Sequence, residues 1–304
     1  MHDIVVVGGG PAGMTAALYA LRNGKSALVI EKEGFGGQMT QSPKIENYPG
    51  TLQVSGMELA DQMMNQIIEQ GADIEIETVS GISSNAGCWT VETEEGGAYD
   101  AKAVIIATGV KHRMLGLPGE EDLVGDGVSF CAVCDGDFYA GKVVCVAGGG
   151  NSALQEAILL AGKCKEVIML QDLEFFTGER TLQDVLFASP HVRTITNTEI
   201  KALVSGDDGL EAVEVADRTT GEVQRISCDG LFVAIGLIPE NGQYSDYADL
   251  NDWGYFDSDE TCATKTPGLF VAGDCRSKTT RQITTAVSDG AVAALAACRY
   301  IDLG

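Results

Sequence analysis

One pattern occurs twice in this chain, and it restricts the possible folds more than anything else in the sequence. Residues 3–7 are a continuous apolar run rich in β-branched side chains, followed by Gly8-Gly9-Gly10-Pro11-Ala12-Gly13 and a helical pattern from Met14 to Arg22. A second apolar run, Ser26 to Ile30, ends at Glu31, 23 positions after Gly8. The order returns at Lys142 to Ala147, Gly148-Gly149-Gly150-Asn151-Ser152-Ala153, Leu154 to Ala161 and Glu166 to Leu170, and the same spacing of 23 lands on Gln171. Strand, tight glycine turn, helix, strand and terminal acid together form a dinucleotide-binding unit. The first glycine makes the turn, the second lets backbone approach a pyrophosphate, and the third lets helix pack on strand. The helix N-terminus adds partial positive charge for phosphate, and an acid at the end of the second strand accepts from ribose hydroxyls.

A chain of 304 residues with two such units is expected to be α/β, with two dinucleotide-binding, Rossmann-like three-layer domains. After the second unit the sequence returns to the first theme. Gly268-Leu269-Phe270-Val271-Ala272-Gly273-Asp274-Cys275 is a strand running into an acid, and Ile283 to Ile301 is a helix rich in small residues. One domain is therefore expected to be inserted in the other, with 1–112 and 242–304 forming the outer domain and 113–241 the inner one. Lys111 to Pro118 and Ile238 to Gly242 are the candidate hinges. Turns are expected at Asn85-Ala86-Gly87 and Glu95-Gly96-Gly97, and a functional loop over Gly34 to Gly50.

Just before the first strand of the second unit stands Cys131-Ala132-Val133-Cys134-Asp135. Cysteines separated by two residues close a reducible ring, and a neighbouring carboxyl group can protonate a leaving thiolate. The other cysteines, Cys88, Cys145, Cys164, Cys228, Cys262, Cys275 and Cys298, are scattered, several within apolar runs, and read as buried, reduced packing. With no second close cysteine pair and only three histidines, no metal site is expected. A net charge of −24 argues against nucleic-acid or anionic-membrane partners. The absence of a long apolar run or a basic leader at the N-terminus points to a cytoplasmic protein.

Five ordered motifs carry a resemblance over essentially the whole length. They are Gly8 to Gly13 with Glu31; Gly37-Gln38 with Glu46 to Gly50; Ala107-Thr108-Gly109; Cys131 to Asp135; and Gly273-Asp274 with Arg281-Gln282-Ile283. In these the chain resembles the low-molecular-weight thioredoxin reductases. The resemblance implies FAD in the outer domain. Gly8, Gly10, Pro11, Ala12 and Gly13 would hold the pyrophosphate, Glu31 the adenosine ribose, and Gly37, Gln38, Asn47, Thr108 and Gly109 the flavin side. Gly273 and Asp274 would serve the ribityl-phosphate region, with Arg281, Gln282 and Ile283 near the flavin ring. It also implies Cys134 as the flavin-side thiol, Cys131 as the nucleophile toward thioredoxin or a thioredoxin-like protein, Asp135 as general acid, and a homodimer. A non-catalytic flavin-binding redox sensor is the reading from another class, and the intact Cys131, Cys134 and Asp135 speak against it.

The resemblance fails at one place. NADPH-using members carry a His-Arg-Arg run after the second strand of the inner unit and a further arginine beyond it. Here the stretch is Gln171-Asp172-Leu173-Glu174-Phe175-Phe176-Thr177. Its carboxylates repel a 2′-phosphate that needs guanidinium partners. NADPH in the usual mode is therefore not expected. Three donors stay open: reduced ferredoxin, as in the pyridine-nucleotide-independent members; NADH, with Gln171 or Asp172 on an unphosphorylated ribose; and NADPH in an altered pose held by Arg180. Lys265, Arg276, Lys278 and Arg281 are the candidates for a basic patch facing an acidic ferredoxin.

Overall fold

The computed structural model describes residues 1–303 apart from 43–44, 86 and 207–208. The expected turn at Asn85-Ala86-Gly87 thus falls partly outside the described residues. The chain divides into two units, Met1–Lys111 with Ile238–Gly304, and His112–Leu237.

The first unit is built on a seven-stranded sheet. Asp73–Ile76, Ala27–Glu31, His2–Val7 and Ala98–Ile106 run parallel in that order. The long strand Ala98–Ile106 serves two neighbours. Its first half pairs antiparallel with Cys88–Thr93, which leads on to Val79–Asn85, and its second half pairs parallel with Leu269–Val271. The apolar runs are continuous because both faces of the parallel part are covered. Ile4, Val6, Val29, Ala103 and Ile105 pack under the helices Pro11–Arg22, Gly56–Glu69 and Ile283–Leu303. Val5, Val7, Leu28, Ile30, Val104 and Ile106 pack with Trp89, Tyr244 and Phe256 on the other side. Helix Gly56–Glu69 starts where Ser55 and Glu58 form a reciprocal capping box.

The second unit repeats the plan. Val192–Ile195, Glu166–Leu170, Val143–Ala147, Gly230–Val233 and Val128–Ser129 form a parallel sheet of five strands. One face packs on helix Asn151–Ala161 through Ala153, Leu154, Ala157 and Leu160. The other packs on an antiparallel sheet of Thr198–Gly206, Gly209–Asp217 and Val223–Ser227 through Val213, Val215 and Ile226. The fold is thus α/β with two dinucleotide-binding domains, the second inserted in the first.

Glycines set how closely these layers approach. A Cβ on Gly13 would collide with the Gly8 carbonyl oxygen, and one on Gly290 would reach within 3.0 Å of the Ala12 carbonyl carbon and 3.1 Å of Ala16 N. Helices Pro11–Arg22 and Ile283–Leu303 therefore touch backbone to backbone along the side that holds the first glycine turn. Gly290→Val is expected to force them apart, lowering stability by about 1–3 kcal/mol as overpacking does. It should also weaken retention of FAD, checked by thermal unfolding and by the flavin absorbance of the purified protein.

Candidate active site

In the first unit the glycine turn, the ends of the parallel strands and the start of helix Ile283–Leu303 come together. Gly8 has φ +108°, and a Cβ there would strike the Ala107 carbonyl oxygen. Gly10 precedes helix Pro11–Arg22 in extended conformation with no side-chain cap, and the space where its Cβ would stand is empty. Pro11 opens that helix and lacks the N–H that would be unsatisfied there. Ala12 is buried beneath Gly273, whose φ of +81° brings backbone to within 2.8 Å, measured from an added Cβ to the Ala12 Cβ. The Glu31 carboxylate accepts from Gly9 N at 2.6 Å and from Glu33 N at 3.1 Å. It is thus fixed at the strand end that faces the turn.

The remaining predicted contacts of this unit also converge. Gly37, in left-handed conformation, lies against Gly10, and the Gln38 amide donates to the Val110 carbonyl next to Gly109. Asn47 donates to the Gln282 side chain at 3.1 Å. Thr108 donates to Asn241 at 3.4 Å. Arg281 lies over the Tyr255 ring, 4.2 Å from its centroid, and donates to the Asp274 carbonyl at 3.3 Å. Ile283 begins the last helix and packs against the core.

Asp274 is the telling residue. Among the described residues its buried Oδ1 has no hydrogen-bond partner, and burial pushes its carboxyl up to about 6. A buried carboxylate oxygen left unsatisfied is costly, so its position calls for a donor from outside the chain. The open cradle over Gly10, the free N-terminus of helix Pro11–Arg22 and the waiting Asp274 fit a dinucleotide with hydroxyl groups, as FAD has.

Sequence reasoning missed Asn241 and Asp289. Asn241 is fully buried and donates to the carbonyls of Gly254 and Cys275, both at 2.9 Å, so it fastens the strand ends behind Thr108. It had been read only as part of a hinge. Asp289 accepts from Gly273 N at 3.1 Å and from Arg276 and Lys278 at 2.9 and 2.8 Å. That arrangement corrects the expected basic patch. Arg276 and Lys278 are held by Asp289, Lys265 by Asp249 at 3.0 Å, and Arg281 by Tyr255 and main-chain carbonyls.

In the second unit Cys131 and Cys134 form a disulfide with Cα atoms 5.3 Å apart. Cys131 caps the short helix Ala132–Asp135, its sulfur accepting from Cys134 N at 3.2 Å. The Ser129 hydroxyl donates to Asp135 Oδ2 at 2.7 Å and accepts from Cys131 N at 3.1 Å, so one serine ties the acid to the first cysteine. Val133, between the two sulfurs, is exposed. His112 stacks on Phe130 with centroids 4.6 Å apart, and burial pushes it down to about 4. It is a neutral imidazole near pH 7. Among the other cysteines Cys88 is half-buried, against the expectation of burial, because it lies at the exposed end of its strand; the remaining six are buried and unpaired.

The second glycine turn keeps its geometry but not its partner. Gly148 has φ +126°, and a Cβ there would meet the Ala234 carbonyl, as Gly8 meets Ala107. Gln171 is buried over Gly149 and donates to the Phe175 carbonyl at 3.1 Å, so it serves its own loop. Asp172 is paired with Arg218 at 3.3 Å, and Arg180 with Asp184 at 3.0 Å. Thr177 N and Gly178 N both donate to the Gly149 carbonyl at 2.9 Å, folding the loop across the turn, and Glu179 bonds Asn151 at the start of the helix. Phe175, in the same loop, stands exposed.

Two dinucleotide folds, one with an unsatisfied carboxylate in its cradle and the other with a disulfide beside an acid, define a flavoprotein disulfide oxidoreductase. The sequence matches the pyridine nucleotide-disulphide oxidoreductase family over residues 2–290, and the chain belongs to that family. A thioredoxin reductase of Treponema pallidum is 39% identical over 302 residues, covering 99% of this chain and 97% of that protein. A 34.2 kDa protein in a rubredoxin operon of Clostridium pasteurianum is 40% identical over 300 residues, covering 98% and 97%. The crystal structure of thioredoxin reductase from Streptococcus pyogenes superposes with a TM-score of 0.93 at 39% identity, covering 100% of this chain and 99% of that one. The chain is therefore a thioredoxin-reductase-like flavoprotein oxidoreductase.

The raised Asp274 carboxyl supplies a test without turnover. A folded-state value of about 6 above an ordinary 3.8 means that the folded protein binds more protons between these values. Its contribution to stability is full below about pH 3.8 and is lost as pH rises through about 6. In the FAD-free protein, Asp274→Asn is expected to remove this decline and to unfold at higher temperature than the parent at pH 7, while binding FAD more weakly. Equal pH profiles of melting temperature in the two proteins would contradict the assignment.

Proposed function

We propose that this chain is an FAD-dependent reductase of the disulfide of thioredoxin or a thioredoxin-like protein, its FAD being reduced by a ferredoxin-type protein rather than by NADPH. One contrast supports this reading. The outer cradle holds an unsatisfied Asp274, whereas the inner turn ends in Gln171, which bonds the Phe175 carbonyl, and Asp172, which is paired with Arg218. The reading assigns FAD to residues 1–112 and 242–304 and the cysteine pair to the inserted 113–241. With the family resemblance it includes a cytoplasmic homodimer. Since the four cations considered for an acidic ferredoxin are engaged within the chain, such a partner must be recognised chiefly by contacts other than free surface charge.

Bound FAD supplies two electrons to the disulfide. The Cys131–Cys134 bond breaks, two protons are taken up and two thiols result. Asp135, oriented by Ser129, holds a proton for the leaving sulfur. The Cys134 amide donates to the Cys131 sulfur and so favours the thiolate there, the form that attacks a partner disulfide. Cys131 then joins one partner sulfur and releases the other as a thiol. Cys134 displaces the second, restoring the internal disulfide. Exposed Val133 leaves the turn open to a protein partner.

A second reading, NADH as donor, rests on the preserved turn. Above Gly150 the nearest group to an added Cβ is the Thr177 hydroxyl at 3.8 Å, which leaves room for a pyrophosphate without a 2′-phosphate on the ribose.

Anaerobic titration of the yellow protein separates the donors. Flavin bleaching by reduced ferredoxin and not by stoichiometric NADPH or NADH is the expected result. Bleaching by NADH alone would establish the second reading, and rapid bleaching by NADPH would sink the first. Cys134→Ser is expected to keep its FAD and lose at least about 10³-fold in thioredoxin reduction. Retained turnover would refute the role given to Cys134.

A further inference from the structure

Asp289 meets the outer cradle through a single atom, and the reaction described above makes no use of it. In helix Ile283–Leu303 it comes three residues after Ala286, one before Gly290 and four before Ala293, all three buried, and so stands on the flank of the small-residue face. That face approaches the first helix closely, since a Cβ added to Gly290 would strike the Ala12 carbonyl. Ala12 also receives Gly273, 2.8 Å from an added Cβ to the Ala12 Cβ. The third side of this triangle is polar: the Gly273 N–H donates to Asp289 Oδ2 at 3.1 Å. A short acid reaches the turn only because small residues have let the layers come together.

The same oxygen takes two cations. Arg276 Nη1 stands 2.9 Å and Lys278 Nζ 2.8 Å from Asp289 Oδ2. These three side chains are 8 to 14% exposed, so salt and water screen them little. Arg276 is also fastened on its far side, its Nε donating to the Ser258 hydroxyl at 2.8 Å and its Nη2 to the Asp259 carbonyl at 2.5 Å. Arg281 donates to the carbonyls of Asp274 and Arg276, both at 3.3 Å. The segment Gly273 to Lys278 is therefore gripped by one carboxylate through an amide and two side chains, and by one guanidinium through two carbonyls. Between the Gly273 amide and the Asp274 carbonyl lies the side chain with the buried, unsatisfied Oδ1.

A glycine at φ +81° has the least restricted backbone of any residue, and a turn left free until a ligand arrives subtracts its ordering from the affinity. We propose that Asp289 is a positioning residue for FAD: by holding the Gly273 amide, Arg276 and Lys278 on one carboxylate oxygen, it fixes the turn that presents Asp274 to the cofactor. The inference rests on the reading of the outer cradle as an FAD site. Asp289 acts through Asp274, and no contact of its own with the cofactor is required. Asparagine at this position keeps an oxygen for the Gly273 amide and gives up the charge, whereas alanine gives up both.

The test is a double-mutant cycle on FAD affinity, read from flavin fluorescence as FAD is added to the full-length chain freed of cofactor. Asp289→Ala is expected to weaken binding about tenfold or more, the scale of one hydrogen bond to a charged group, and Asp289→Asn by less. In an Asp274→Ala background the Asp289→Ala change should alter affinity by less than about twofold, because the residue it acts through is gone. Equal losses in the two backgrounds, or unchanged affinity in Asp289→Ala, would overturn the proposal whatever the melting temperatures show. A measurement on the unaltered chain covers the case in which Asp289→Ala does not fold. Hydrogen exchange at the Gly273 amide of the FAD-free protein, followed by NMR, should be at least about tenfold slower than in an open chain, and open-chain exchange would overturn the proposal. Failure of the unaltered chain to bind FAD would remove the FAD reading and this inference with it, whereas FAD binding indifferent to Asp289 removes the inference alone.

Discussion

The structure depends on places where two stretches of backbone meet with no side chain between them. Gly8 lies on the Ala107 carbonyl, Gly13 on Gly8, and Gly290 on Ala12. Each contact removes about a methyl group's thickness between layers, and the sum brings a strand end, a helix N-terminus and a second strand end to one point. Asp274 reaches the mouth of the turn only because Gly273 lies against Ala12. Any larger residue in the series would push the glycine turn, the helix N-terminus and Asp274 apart. The same arithmetic holds for Gly148 on Ala234 in the inserted unit. The two turns are therefore alike as objects of packing, and they differ only in the side chains standing around them.

That distinction explains what was readable in the chain beforehand. Strands and helices were legible because burial on both faces leaves continuous apolar runs, as in Val143–Ala147, and because glycine spacing is a steric requirement. The cysteine pair with Asp135 was legible because its chemistry lies in adjacent residues. What escaped were groups whose role is defined by distant partners. Asn241 works through carbonyls 13 and 34 positions away. Asp289 gathers Gly273, Arg276 and Lys278, Asp249 holds Lys265, and Arg281 lies over Tyr255, so the four scattered cations that a linear reading gathers into a patch each have a partner within the chain. Helix starts also ran earlier than their apolar patterns, at Pro11 and Asn151, because the first turn is set by the glycine and not by core residues.

The electrostatic contrast between the turns can be given a size. In the first, Glu31 accepts from Gly9 N and its charge is anchored beside the glycine turn. In the second, Gln171 donates to Phe175 and offers no charge, while Asp172 is committed to Arg218. A hydrogen bond between a charged donor and a phosphate contributes about 1.5–3 kcal/mol net. Where NADPH-using members carry two guanidinium groups this chain has Asp172 and Leu173, and losing two such partners would remove about 3–6 kcal/mol, before any repulsion from Asp172 or Glu174 is counted. At about 1.4 kcal/mol per decade this amounts to roughly two to four orders of magnitude in affinity for a 2′-phosphate, with no change in fold. Packing therefore conserves the shape of a dinucleotide site far beyond the charges that would select its occupant, and the electron inlet of such a chain is decided at a few strand-end side chains.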